Sequence, residues 1–79
     1  MYSKYYQSHV KKSKTWFIIG SLKNEENLAF VRTLDKKQGI LEYFVPESHE
    51  QKFLNLMNYF IQKNLIFNLE EKKNRLKIQ

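Results

Sequence analysis

The sequence contains no cysteine, which excludes disulfides, thiol nucleophiles and zinc sites built on thiolates. Its two histidines, His9 and His49, lie forty residues apart, and Asp35 is the single aspartate. A metal centre needs three or four convergent ligands, and a catalytic triad needs a nucleophile, a base and an orienting group. Neither set is legible here. Gly20 and Gly39 are the two glycines, too few for a Gly-rich phosphate loop. The acid pairs Glu25–Glu26 and Glu70–Glu71 are adjacent in sequence, so in regular structure their side chains diverge. No catalytic residue, metal or cofactor is expected, and the chain reads as non-enzymatic.

Long apolar runs are missing too. Trp16–Ile19 and Tyr43–Val45 are far short of the ~20 residues of a membrane span. The N-terminal lysines are not followed by an apolar stretch and a small-residue cleavage site, so no signal peptide is expected. No membrane partner is expected, and a cytoplasmic location follows by default.

What remains is one small domain, expected over residues 1–71, with 72–79 as a charged flexible tail. Six Phe, five Tyr and one Trp supply the large rings with which so short a chain can fill a core. The formal charge of +6 is unevenly spread. Residues 1–23 carry five lysines and no acid, residues 24–71 carry five basic groups against all eight acids, and residues 72–79 carry four basic groups. The excess therefore sits at the two ends, where solubility accounts for it as well as nucleic acid does.

Along the chain, Met1 to Val10 reads as a strand, and Lys11 to Lys14 as a basic break in which Ser13 offers a helix N-cap. Thr15 to Leu22 is ambiguous. Its β-branched and aromatic residues favour a strand, whereas Trp16, Ile19 and Leu22 recur at helical spacing. After a polar connection, Lys23 to Asn27, two strands are expected at Leu28–Leu34 and Ile40–Val45. Asp35 to Gly39 joins them as a hairpin, with Gly39 at positive φ. Pro46 ends the second strand, and Ser48 with Gln51 fits a capping box. Glu47 and Glu50 suit the positive end of a helix whose apolar stripe is Phe53, Leu56, Met57, Phe60 and Ile61. Asn64 can close that helix, Leu65 to Leu69 reads as a last strand, and charged residues follow from Glu70.

The fold class is α+β on either reading of Thr15–Leu22. A helix there gives the order βαββαβ, a ferredoxin-like two-layer sandwich with two helices on one face of a four-stranded antiparallel sheet. A strand there gives a meander followed by a helix and a strand. The run from Leu28 to Asp35, then Gly39–Ile40 and the helix after Pro46, resembles a small bacterial family, domain of unknown function 4911. The resemblance covers about half the chain and implies the helical reading, with a ferredoxin-like or ACT-like fold. Asn24 and Asn27 depart from it, standing where that family tends to place glycine. The resemblance brings no catalytic residue with it.

Two surfaces are candidates for function. Strand alternation puts Phe30, Arg32, Glu42 and Phe44 together on a sheet face that two helices on the other side leave bare. Large rings with one charge of each sign suit an interface, so a homodimer or a protein partner is expected through them. The plain alternative is a cross-strand Arg32–Glu42 pair on a solvated sheet. The second surface interleaves rings and cations near the N-terminus, with Tyr5, Lys11, Lys12 and Lys14 as contacts in a small RNA- or DNA-binding protein. Ala29–Phe30–Val31 echoes the aromatic strand motif of RNA-recognition folds, but the flanking Lys-Gly and final ring of that motif are missing. An ACT-like small-molecule ligand is compatible with the fold, its identity unknown.

Overall fold

A computed structural model of the chain describes residues 2–24 and 28–72. Its elements are β1 (Tyr2–Val10), a 3-10 turn (Lys12–Lys14), α1 (Thr15–Asn24), β2 (Phe30–Asp35), β3 (Ile40–Pro46), a second 3-10 turn (Glu47–His49), α2 (Glu50–Gln62) and β4 (Ile66–Lys72). The strands form one antiparallel sheet in the order β2-β3-β1-β4, so β2 and β4 are its edges. The fold is α+β.

Thr15–Leu22 is helical, which resolves the ambiguity in favour of βαββαβ. The buried stripe is not the one its spacing suggests. Ile18 and Leu22 enter the core, Ile19 is half-buried, and Trp16 faces solvent. A segment apolar nearly all round carries no periodic signal to choose its inner face. In α2 the alternation of stripe and polar face is clearer, and Phe53, Met57 and Phe60 are buried as expected, although Ile61 is exposed.

Both helices contribute to one core with the same face of the sheet. Tyr6 and Val10 of β1, Val31 of β2, Leu41, Tyr43 and Val45 of β3 and Ile66 of β4 meet Ile18 and Leu22 of α1 and Phe53, Met57 and Phe60 of α2. Two tyrosines carry polar groups into this core. The Tyr43 hydroxyl lies 2.8 Å from Ser8 Oγ, with both residues buried. Burial pushes the Tyr43 phenol up to about 12, and the Ser8 hydrogen bond acts weakly against that. The Tyr6 hydroxyl donates to the Glu50 carboxylate at the start of α2. Burial first, then this hydrogen bond and the Glu50 charge, hold the Tyr6 phenol well above its ordinary range.

Four local expectations are corrected. Ser13 and Ser48 do not cap helices, because each lies inside a 3-10 turn that leads into its helix. The amide of Thr15 donates to the Lys12 carbonyl and that of Glu50 to the Glu47 carbonyl, so backbone groups take the place of a side-chain cap. Ser48 Oγ instead meets His49 Nδ1 at 3.0 Å, and Gln51 Nε2 donates to Asn55 one turn on. Strand β2 begins at Phe30, later than Leu28. Strand β4 continues through Glu70 and Glu71 to Lys72, pairing Lys72 with Tyr5, where a charged tail was expected. An edge strand accommodates such charges because half of its surroundings is water. The rest of the expected tail, 73–79, lies outside the described residues, as do Met1 and most of the Lys23–Asn27 connection.

Gly39 has φ +70°, and the carbonyl of Gly39 accepts from the Val10 amide at 2.7 Å. Asn64, at φ 61°, ends α2. Its amide donates to Ile61 and the Leu65 amide reaches back to Phe60, the bonding pattern of a left-handed helix terminus.

Candidate interaction surfaces

The face of the sheet turned away from the helices takes the odd positions of β1 and the even ones of β2 and β3. Pairing places Phe30 opposite Phe44 and Arg32 opposite Glu42, so all four residues expected there come together. Arg32 Nε lies 2.8 Å from Glu42 Oε2, and its guanidinium stands over the rings of Phe44 and Phe30 at 5.6 and 5.9 Å. Glu42 Oε1 accepts from the Tyr5 hydroxyl at 2.6 Å, and that hydroxyl accepts from Gln7 Nε2 at 2.9 Å. Tyr5 also tilts against Phe44 with ring centroids 5.0 Å apart. Arg32 is thus held at once by a carboxylate and by two π faces, an arrangement that suits a planar guanidinium.

The four residues differ in what they present. Glu42 is fully buried and Phe44 nearly so, whereas Phe30 is 48% exposed and Arg32 is exposed as well. The centre of this face is therefore a buried ionic and aromatic layer, and the accessible groups stand on the edge strand β2. At the opposite edge, Phe67 of β4 is half exposed and stacks on His9 at 5.1 Å. Phe67 was missed in the sequence because β4 carries a bulge. Pairing shifts between Gln7 and His9, and Asn68 sits at φ 57°, which re-aims the residues on either side.

The second set of expected contacts divides. Lys11, Lys12 and Lys14 are exposed on and beside the turn that leads into α1. Tyr5 is not among them, being buried in the sheet with its hydroxyl on Glu42. The aromatic neighbours of the basic turn are others. Trp16 is 79% exposed in the first turn of α1, and Phe17 beside it meets Phe60 of α2 edge-on. Tyr59 packs on Phe60 and holds Lys63 over its ring at 5.7 Å. The Lys11 amide donates to the Leu65 carbonyl, tying the basic turn to the end of α2. A patch of exposed rings and cations thus spans the start of α1 and the end of α2.

His9 stacks on Phe67 and His49 bonds to Ser48, so the two histidines occupy separate places. Among the described residues no group of three or more His, Asp or Glu side chains is placed to hold a metal ion, and no helix is long and apolar enough to cross a membrane. Compared with known proteins, the chain matches no family model, no curated protein and no solved structure.

Proposed function

We propose that this protein is a non-enzymatic interaction module that associates with a second copy of itself through the β2 side of its sheet. One observation carries the reading. Phe30 and Arg32, the accessible members of the Arg–Glu–aromatic cluster, both stand on an edge strand. Edge strands that must stay unpaired are usually guarded by charge. β4 carries three charges in a row, Glu70, Glu71 and Lys72, whereas β2 carries Arg32 alone, already paired with Glu42, before Asp35 at its end. Arginine and aromatic rings are also the residues that contribute most at the centres of interfaces, and Arg32 is already held in place before any partner arrives. The element order and the strand order β2-β3-β1-β4 support a ferredoxin-like arrangement.

Native mass spectrometry at moderate ionic strength tests the proposal. A dimer is expected for the wild-type chain and a monomer for Phe30→Ser, with matching circular dichroism. Replacing Lys11, Lys12 and Lys14 by Gln leaves the dimer intact. A monomeric wild-type chain, or a Phe30→Ser variant that keeps the wild-type mass, refutes the β2 interface.

The exposure of Trp16 beside Lys14 favours a second reading, in which the basic turn and α1 bind single-stranded nucleic acid by stacking and phosphate contact. Its signature is an affinity for an oligonucleotide that falls steeply with salt and is lost in Trp16→Ala.

A further inference from the structure

We propose that the cavity between the start of α1 and the β2–β3 turn binds a small phosphate monoester. The cavity has a volume of about 420 Å³, within the range of small-molecule sites. Its polar lining comes from four side chains: Lys12 and Thr15 at the start of α1, Thr33 on β2 and Lys36 in the turn. Val10 and Leu41 supply its apolar wall. Lys12 and Lys36 are exposed, and among the described residues neither is held in an ion pair.

Gly39 shapes the site. It lies in the lining, and a methyl group there would come within 3.0 Å of the Val10 carbonyl oxygen and 3.4 Å of Lys12 Cγ. The absence of a side chain there leaves room for the Lys12 stem beside the turn, and Lys12 lines the same cavity as Lys36.

The donor set selects the ligand class. Two lysines and two threonines supply charge and several donors to the lining, and among the described residues no carboxylate lines the cavity. A phosphate monoester carries close to two negative charges at neutral pH and three acceptor oxygens, which uses both cations and both hydroxyls. A zwitterionic amino acid fits poorly, since its ammonium group would meet two lysines and no acid. Attached to the phosphate, an apolar body of modest size can lie against the apolar part of the lining, where Ile40 is half-buried and Val10 and Leu41 are enclosed.

The test is a titration of the full ¹⁵N-labelled chain, followed by amide shifts, with inorganic phosphate, phenyl phosphate, benzoate, phenylalanine and a ten-residue oligothymidylate as probes. Saturable shifts at Lys12, Thr15, Thr33 and Lys36 with phenyl phosphate are expected, tighter than with inorganic phosphate. Lys12→Gln/Lys36→Gln weakens binding at least tenfold while the spectrum stays dispersed. Thr33→Val, which keeps the side-chain shape, weakens it several-fold and serves if the double variant does not fold. Shifts shared among all lysines without saturation overturn the site. So does a double variant that binds unchanged. Benzoate or phenylalanine binding as tightly as phenyl phosphate overturns the ligand class. Binding of the oligonucleotide with both phosphates silent assigns the lysines to nucleic acid and overturns the small-ligand proposal.

Discussion

The hydroxyl pair of Ser8 and Tyr43 offers the sharpest test of how the core is held. Both residues are buried, their oxygens 2.8 Å apart, and no buried side-chain polar atom among the described residues lacks a partner. Tyr43→Phe strands the Ser8 hydroxyl, and Ser8→Ala strands that of Tyr43. Each single change is expected to cost about 1–2 kcal/mol, because a buried polar group loses its partner without regaining water. In the double variant neither hydroxyl remains, so its cost stays close to that of one single change, with a coupling of about 1–2 kcal/mol. The same pair predicts a pH effect. The Tyr43 phenol ionises at about 12 in the folded chain against 10.0 ordinarily, so the unfolded chain gives up its proton first. Stability from this group is complete below pH 10, falls through the window from 10 to about 12, and is reduced by roughly 2 kcal/mol at the upper end. Guanidinium unfolding from pH 8 to pH 12 measures both effects. The difference between wild type and Tyr43→Phe isolates the tyrosine from the lysines that titrate in the same range. Additive single costs would show that the two hydroxyls do not satisfy each other, and a Tyr43→Phe variant with the wild-type pH slope would show that the Tyr43 phenol is not buried in the core.

The two glycines should respond oppositely to alanine. Gly20→Ala in α1, where an added methyl meets nothing within 4 Å, should raise stability by about 0.5–1 kcal/mol. Gly39→Ala, at φ +70° with the Val10 carbonyl oxygen at 3.0 Å, should lower it by about 1–2 kcal/mol; thermal unfolding separates the two. Glu50→Gln removes the charge that the Tyr6 hydroxyl faces, so ultraviolet titration of tyrosinate should show Tyr6 ionising at lower pH. It should still ionise above the ordinary value, since burial, the larger cause, remains. Trp16→Ser should change stability by less than about 0.5 kcal/mol because the ring is exposed. Phe53→Ala should cost about 3–5 kcal/mol, a large share of what a small domain has. Chemical unfolding of the pair checks whether these two rings are correctly placed.

The parts of the fold that were legible in the sequence are those whose residues sense one local rule. Gly39 can take positive φ cheaply, Pro46 cannot continue a ladder, and α2 alternates apolar and polar residues with helical period. The β2–β3 hairpin and α2 followed from these features alone. Thr15–Leu22 was illegible because its apolar residues satisfy both periods, and only the sheet that α1 packs against selects Ile18 and Leu22. The helix starts were misread for another reason. Serine before an apolar run is a cap signal, yet a 3-10 turn can satisfy the same amides with backbone carbonyls, and nothing local distinguishes the two.

The candidate surfaces show the same division between local pattern and tertiary consequence. Alternation alone brought Phe30, Arg32, Glu42 and Phe44 to one face, because register in a hairpin follows from the turn. Alternation could not say that Glu42 is buried, since that depends on Tyr5 arriving from β1, thirty-seven residues away in sequence. A strand placed at the centre of a sheet gains neighbours on both sides, whereas an edge strand gains them on one. That difference leaves Phe30 and Arg32 accessible on β2 while their partners on β3 are enclosed. Strand order therefore decides what the surface offers. The Lys12–Lys36 cavity follows the same logic, because the 3-10 turn after β1 sets one lysine beside a hairpin turn that carries the other. A change in strand order that kept the hairpin would leave Phe30, Arg32, Glu42 and Phe44 together, yet it would take Tyr5 away from Glu42 and part Lys12 from Lys36.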